Sequence, residues 1–143
     1  AFLGGDGWES NGLFTAAGDA ITDRSRVFIA SHFSADVKRA KVRGFVDAFL
    51  EKFGRRPNPS SALGFDAGGM IVAACTDADA ATAIGVKSAL QNVHHEGVTG
   101  YITIDNSRNP SKKVIIMQAS TDQRFAYVRA ISPETLGSVD PIE

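Results

Sequence analysis

Apolar residues recur at two distinct periods along the chain. Val42, Phe45, Val46, Phe49, Leu50 and Phe53 fall three and four residues apart, with Lys38, Arg39, Lys41, Arg43, Asp47, Glu51 and Lys52 on the other side. That spacing predicts an amphipathic helix, with Ser34 or Asp36 capping its start and Gly54 stopping it. VFIASHF, Val27–Phe33, is β-branched and aromatic and predicts a strand, and AFL, Ala1–Leu3, predicts a short buried one. The alanine-rich stretch Leu13–Ile21 predicts a short helix. Two prolines in RRPNPSS exclude helix there, after which Ser60 or Ser61 leads into an apolar segment of helical length, SALGFDAGGMIVAACTDA. Gly68 and Gly69 would weaken such a helix unless another backbone packs close to them. A further helix is expected over Ala80–Val93, ending in a loop before Gly97. Strands are expected at Tyr101–Asp105 and Lys113–Ser120, joined by a polar turn, and at Phe125–Ile131. From Ser132 the pattern fades.

The predicted order is β-α-β-α-α-α-β-β-β, an α/β chain. Three helices in succession between groups of strands do not suit a single compact sheet. They fit an arrangement in which the middle helices belong to a different layer or lobe from the first strands.

Bulk properties narrow the functional classes. The 143 residues are 43% hydrophobic and 22% charged, an ordinary globular composition of one domain's size. A net charge of −1 gives no electrostatic case for nucleic acid or an anionic membrane surface. The longest apolar runs, such as Met70–Cys75 and Val114–Met117, are too short to span a bilayer. No signal peptide is visible and the chain starts at Ala1, which suggests a mature, processed or excised product. The single cysteine, Cys75, allows no intrachain disulfide and reads as a small buried hydrophobe.

The opening AFLGGDGWES holds the most suggestive chemistry. Asp6 and Trp8 sit on a backbone bared by Gly4, Gly5 and Gly7. A carboxylate beside an aromatic face suits a small molecule with a positive and an apolar end, and glycines let the backbone approach it. The competing reading is a Gly-Asp-Gly turn with a solvated aspartate and Trp8 covering core. A phosphate loop is disfavoured: Ser10 occupies the third glycine position, GK[ST] is missing, and Asp6 would repel phosphate. His32 ends the second strand, where α/β folds place cleft residues, and is a secondary candidate. His94, His95 and Glu96 read as solvated loop residues rather than metal ligands. Asp66 reads as a structural buried polar group or cap, and Lys38–Arg43 as a solvated helix face. No G-x-S-x-G elbow or supported acid pair occurs, so no catalytic residue, cofactor or metal is assigned.

Several segments together, GGDGW, FIASHF, FVDAFLEKFGRRPNPSSALGFDA and VKSALQNVHHEGVTGYITIDNSRNPSKKVIIMQ, resemble the C-terminal part of a type I periplasmic solute-binding protein of the branched-chain amino acid ABC transporter family. Their order and spacing carry the likeness. It covers nearly all of this chain but less than half of a typical member. Two departures stand out: Phe65 replaces the tyrosine usual in "YDA", and ITDRSRVF lacks the glycine common before the "thf" strand.

The resemblance implies part of a two-lobed fold of parallel sheets flanked by helices, incomplete here. Residues 1–35 would end lobe two, 36–98 would supply helices of lobe one, and 99–143 would form hinge-crossing strands and the tail. Asp6, Gly7 and Trp8 would bind an amino acid or related carboxylate, Asp6 taking its ammonium, with His32 and Phe65 as secondary contacts. The implied partner is the membrane permease of an ABC importer outside the cytoplasm. A ligand-sensing domain of a receptor or regulator uses the same fold. An α/β enzyme with an anionic cofactor is the more distant alternative. Exposed sheet edges would invite a homodimer.

Overall fold

The computed structural model describes residues 1–21, 26–76 and 82–133. The described elements, in chain order, are β1 (Phe2–Gly4), α1 (Asn11–Ala17), β2 (Val27–Ser31), α2 (Ala40–Phe53), α3 (Pro59–Cys75), α4 (Ala83–Gln91), β3 (His94–Gly97), β4 (Gly100–Ile104), β5 (Pro110–Ser111), β6 (Val114–Ala119) and β7 (Phe125–Ile131). The succession of three helices is as the sequence predicts. The first residues of the expected Ala80–Val93 helix and most of the C-terminal tail lie outside the described residues.

The strands form two sheets, in the orders β1-β2-β6-β7 and β3-β4-β5. Only β1 and β2 pair in parallel among the described strands; the other ladders are antiparallel. The sheets, expected to be parallel, are thus mixed, parallel at β1–β2 and antiparallel in the other described ladders. The cause is connection length: Val98–Thr99 joins β3 to β4, and residues 120–124 join β6 to β7, links that only antiparallel partners allow. The expected polar turn after Ile104 leads instead to β5, and β6 crosses to the other sheet, beside β2.

In the first sheet, β2 alternates strictly, with Val27, Ile29 and Ser31 buried, and β6 answers with Ile115, Met117 and Ala119. Phe14 of α1 joins Ile21, Val27 and Ala119 over one face. β1 is an edge strand, and Phe2 and Leu3 are exposed, not buried as its composition suggests.

α2 buries Val42, Phe45 and Val46, as its periodicity predicts, and Gly54 stops it in the left-handed region at φ 65°. It begins at Ala40 without a side-chain cap; Ser34 instead accepts from the Asp36 N–H in the preceding turn. Asn58 caps α3 by accepting from the Ser61 N–H at 2.9 Å, and Pro59 takes the first helical position, where it loses no hydrogen bond. Phe33 leaves β2 and meets Phe45 edge-on at 5.9 Å, in a cluster with Val42, Val46, Ala62 and Val98. Val37 packs against both this cluster and Ile29, Ile115 and Met117, so it links the helices to the first sheet.

Asp66 secures the second sheet to α3. Its carboxylate is buried and accepts from the Val98 N–H at 2.7 Å, the Thr99 N–H at 2.8 Å and the Thr99 hydroxyl at 2.7 Å. Lys112 donates to the same hydroxyl at 2.8 Å. Burial holds Lys112 below its ordinary pKa, partly offset by Asp66. The structural role expected for Asp66 is the one the structure gives it.

HHEG is a strand, not a solvated loop: His95 pairs with Ile102 and is half-buried. Its ring, rather than another backbone, lies against Gly69; a Cβ there would stand 2.7 Å from His95 Cε1. Lys38–Arg43 is likewise not wholly solvated, since Arg39 donates to the carbonyls of Gly97 and Val98 and Lys41 to that of Glu96. Cys75 is exposed, contrary to its apolar context.

Candidate functional site

The parallel register of β1 and β2 sets Gly4 beside Ile29, so the two strands end side by side. The residues after each strand therefore converge on one edge of the sheet, the position where open α/β sheets hold ligands. Asp6 opens a single 3-10 turn after β1, and His32 follows β2. Asp6 Oδ2 lies 3.5 Å from His32 Nε2, with the Asp6 side chain 65% exposed. Two residues 26 apart in sequence thus meet because their strands are parallel neighbours.

Trp8 closes the same turn, and its N–H donates to the Gly5 carbonyl at 3.1 Å. The indole lies on the backbone of Gly4: a Cβ there would stand 2.3 Å from Trp8 Cε3. Gly4 is thus the seat of the ring, while Gly7 has open space around it. Trp8 remains 43% exposed, so part of the ring is open to solvent. Phe65 is not part of this group. It lies on α3, 4.8 Å from the Phe45 ring, in an apolar groove with Phe49, Phe53 and Val98.

Glu9 belongs to the site and was not singled out in the sequence. It is half-buried, and one carboxylate oxygen, Oε2, is enclosed without a hydrogen-bond partner, as is His32 Nδ1. Burial pushes the Glu9 pKa up, a hydrogen bond with Ser31 pulls it down, and the Asp6 charge raises it again. Glu9 lines a cavity of about 520 Å³ together with Phe33, Met117, Phe125, Arg56 and Asn58. Asp6 is not part of that lining. The sequence signal for Glu9 was its place one residue past Trp8, which gives no hint of enclosure.

Two carboxylates, an imidazole and an indole on one sheet edge provide acceptors for a cation and an apolar face, a binding chemistry. Among the described residues, no three His, Cys, Asp or Glu side chains group to hold a metal ion. No described helix is long and apolar enough to cross a membrane.

The fold is a mixed-sheet α/β architecture. The family model described as "Periplasmic binding protein" matches residues 3–124. The chain therefore belongs to the periplasmic binding protein family. It superposes on a leucine binding protein from Thermotoga maritima with a TM-score of 0.77 at 22% identity, over 92% of this chain and 37% of that one. A branched-chain amino acid transporter substrate binding protein from Streptococcus pneumoniae, in complex with isoleucine, gives 0.73 at 24% identity over 92% and 37%. A solute binding protein from R. palustris, in complex with benzoate, gives 0.70 at 19% over 94% and 38%. The chain thus spans a little over a third of the length of these structures. No curated protein matches it.

Proposed function

We propose that this chain forms part of the solute-binding component of an ABC importer, working outside the cytoplasm and capturing an amino acid or similar small carboxylate between two lobes. The observation that carries the reading is the exposed Asp6 carboxylate at the shared end of β1 and β2, flanked by His32 and Trp8. Family membership and neighbours bound to isoleucine and benzoate support the ligand class. Asp6 receives the ligand ammonium, Trp8 walls its apolar part, and Gly7 lets the backbone approach. The ligand carboxylate is held by the opposing lobe, outside these residues. Hinge motion closes the lobes, and the closed form docks on the permease. No catalytic step is assigned. The chain alone is expected to pair with a second copy through the open edge of β1.

Calorimetric titration with leucine tests this, using both the product of the complete reading frame that contains this chain and the 143 residues alone. The expected result is saturable binding by the former and no resolvable heat from the latter. Micromolar binding by the 143 residues alone would contradict the division of the site between lobes. A complete product that binds neither amino acids nor small carboxylates would overturn the function.

A further inference from the structure

Four phenylalanines form a ladder on the outside of the α2–α3 pair. Phe45, Phe49 and Phe53 recur every fourth residue along α2, so their rings follow one another along the helix axis over about 12 Å. Ring centroids lie 5.7 Å apart at Phe45–Phe49 and 4.4 Å apart at Phe49–Phe53. Phe65 of α3 extends the ladder at the Phe45 end, 4.8 Å away. Core packing accounts for Phe45, which is buried. It does not account for Phe65 and Phe53, which are 55% and 54% exposed. With Ala48 and Val98 the rings line a concave groove of about 550 Å³.

The charges around this groove have one sign. Lys41 and Lys52 line it and no acidic side chain does; Asp47 and Glu51, the acids of α2, are not part of the lining. Lys41 is committed to the Glu96 carbonyl. Lys52 and Arg55 are not committed: among the described residues neither has a hydrogen-bond or ion-pair partner. Each rests against a ring instead, the Lys52 amine 5.6 Å from the Phe53 centroid and the Arg55 guanidinium 5.3 Å from that of Phe49. Two free cations therefore stand at one end of an apolar trough.

We propose that this groove binds a free linear carboxylate with an aliphatic chain, a fatty-acid-like amphiphile. Its chain lies along the Phe65–Phe45–Phe49–Phe53 ladder, and its carboxylate meets Lys52 and Arg55. Charge complementarity selects an anionic head, since the lining supplies cations and no carboxylate. The lining also selects the body. Ser61 is its one uncharged polar side chain, so an extended peptide laid there would leave backbone N–H and C=O groups unpaired, whereas an alkyl chain has none to pair. The volume is that of a small-ligand site rather than of a protein interface. Asp6, Trp8 and His32 do not line the groove, so this site is separate from the one proposed for the amino acid and goes beyond that function.

Calorimetric titration of the product of the complete reading frame tests this, with decanoate held below its micelle concentration and with decanol as the uncharged probe. The expected result is saturable decanoate binding, one molecule per chain, weakened about 10-fold or more by Phe53→Ser and by Lys52→Met. Lys52→Met should leave decanol binding unchanged, because it removes the charge and keeps an apolar stem. Asp6→Asn should leave both probes unchanged. Lys52→Met also decides the case if Phe53→Ser fails to fold. No saturable decanoate binding would overturn the proposal. So would binding that Asp6→Asn abolishes and the groove variants leave intact, which would put the chain in the amino acid site. Equal loss of decanoate and decanol in Lys52→Met would overturn the role of the charge. A dimer that Phe53→Ser dissolves and decanoate leaves intact would assign the groove to a second copy and overturn the proposal too. Failure of leucine binding changes none of these readouts, so the two claims fail separately.

Discussion

Gly97 lacks a side chain because Asp66 occupies the space where one would go. A Cβ on Gly97 would stand 2.3 Å from the Asp66 Cγ, and the same carboxylate takes the next two backbone N–H groups. A long-range contact between α3 and the β3–β4 turn thus sets the identity of both residues. It also holds the second sheet against the helices.

Replacing Asp66 with Ala leaves the Val98 and Thr99 N–H groups buried and unpaired. The expected loss is about 3 kcal/mol, since each unsatisfied group costs on the order of 1–3 kcal/mol. Asp66→Asn, which retains an acceptor, should lose about half as much. Urea denaturation of each variant checks the order. A loss below about 0.5 kcal/mol for Asp66→Ala would refute the clasp.

Gly97→Ala is expected to cost about 2 kcal/mol or more by forcing Asp66 aside. In the Asp66→Ala background the same change should cost much less, because the space is then free. A double-mutant cycle measures the difference, and strict additivity would contradict the contact.

Gly68 and Gly69 are adjacent but differ in surroundings. In the 143-residue chain Gly68→Ala should gain up to about 1 kcal/mol from helix propensity. Gly69→Ala should gain less or lose stability, because its methyl meets the His95 ring. Thermal melts of the two variants compared side by side decide this, and equal gains would contradict the placement of His95.

Glu9 sets a pH dependence. Its folded pKa lies above the ordinary 4.5, so the folded state holds this proton more tightly than the unfolded one. Its contribution is therefore fully present below pH 4.5 and lost as pH rises through the folded value. Glu9→Gln removes the partly buried charge and its repulsion with Asp6. At neutral pH the variant should be modestly more stable than the parent, and the gap should close as pH falls below 4.5. A gap that widens on acidification would reverse the assignment.

Much of this was legible in the sequence where the determinants are local. The α2 seam from Val42 to Phe53 and its Gly54 stop are written at helical spacing, and VFIAS is written as a strand. Long-range effects were not legible. HHEG has no strand composition and becomes β3 because GYIT pairs with it and Asp66 holds the turn. Phe2 and Leu3 look like core but lie on an edge. At the site, GGDGW announced Asp6 and Trp8, and the parallel register of β1 and β2 brought His32 to them. Glu9 could not be singled out, because its enclosure comes from Ser31 and from the cavity lined by Phe33 and Asn58, all distant in sequence.

We propose that Asp6 receives the ammonium of the bound solute. Calorimetry on the product of the complete reading frame and its Asp6→Asn variant tests it most directly, with leucine and with 4-methylpentanoate, the same molecule without its ammonium. The account predicts that Asp6→Asn weakens leucine about 10- to 100-fold, the worth of one charge-assisted hydrogen bond, and leaves 4-methylpentanoate unchanged. Equal leucine affinity in the two proteins would contradict it.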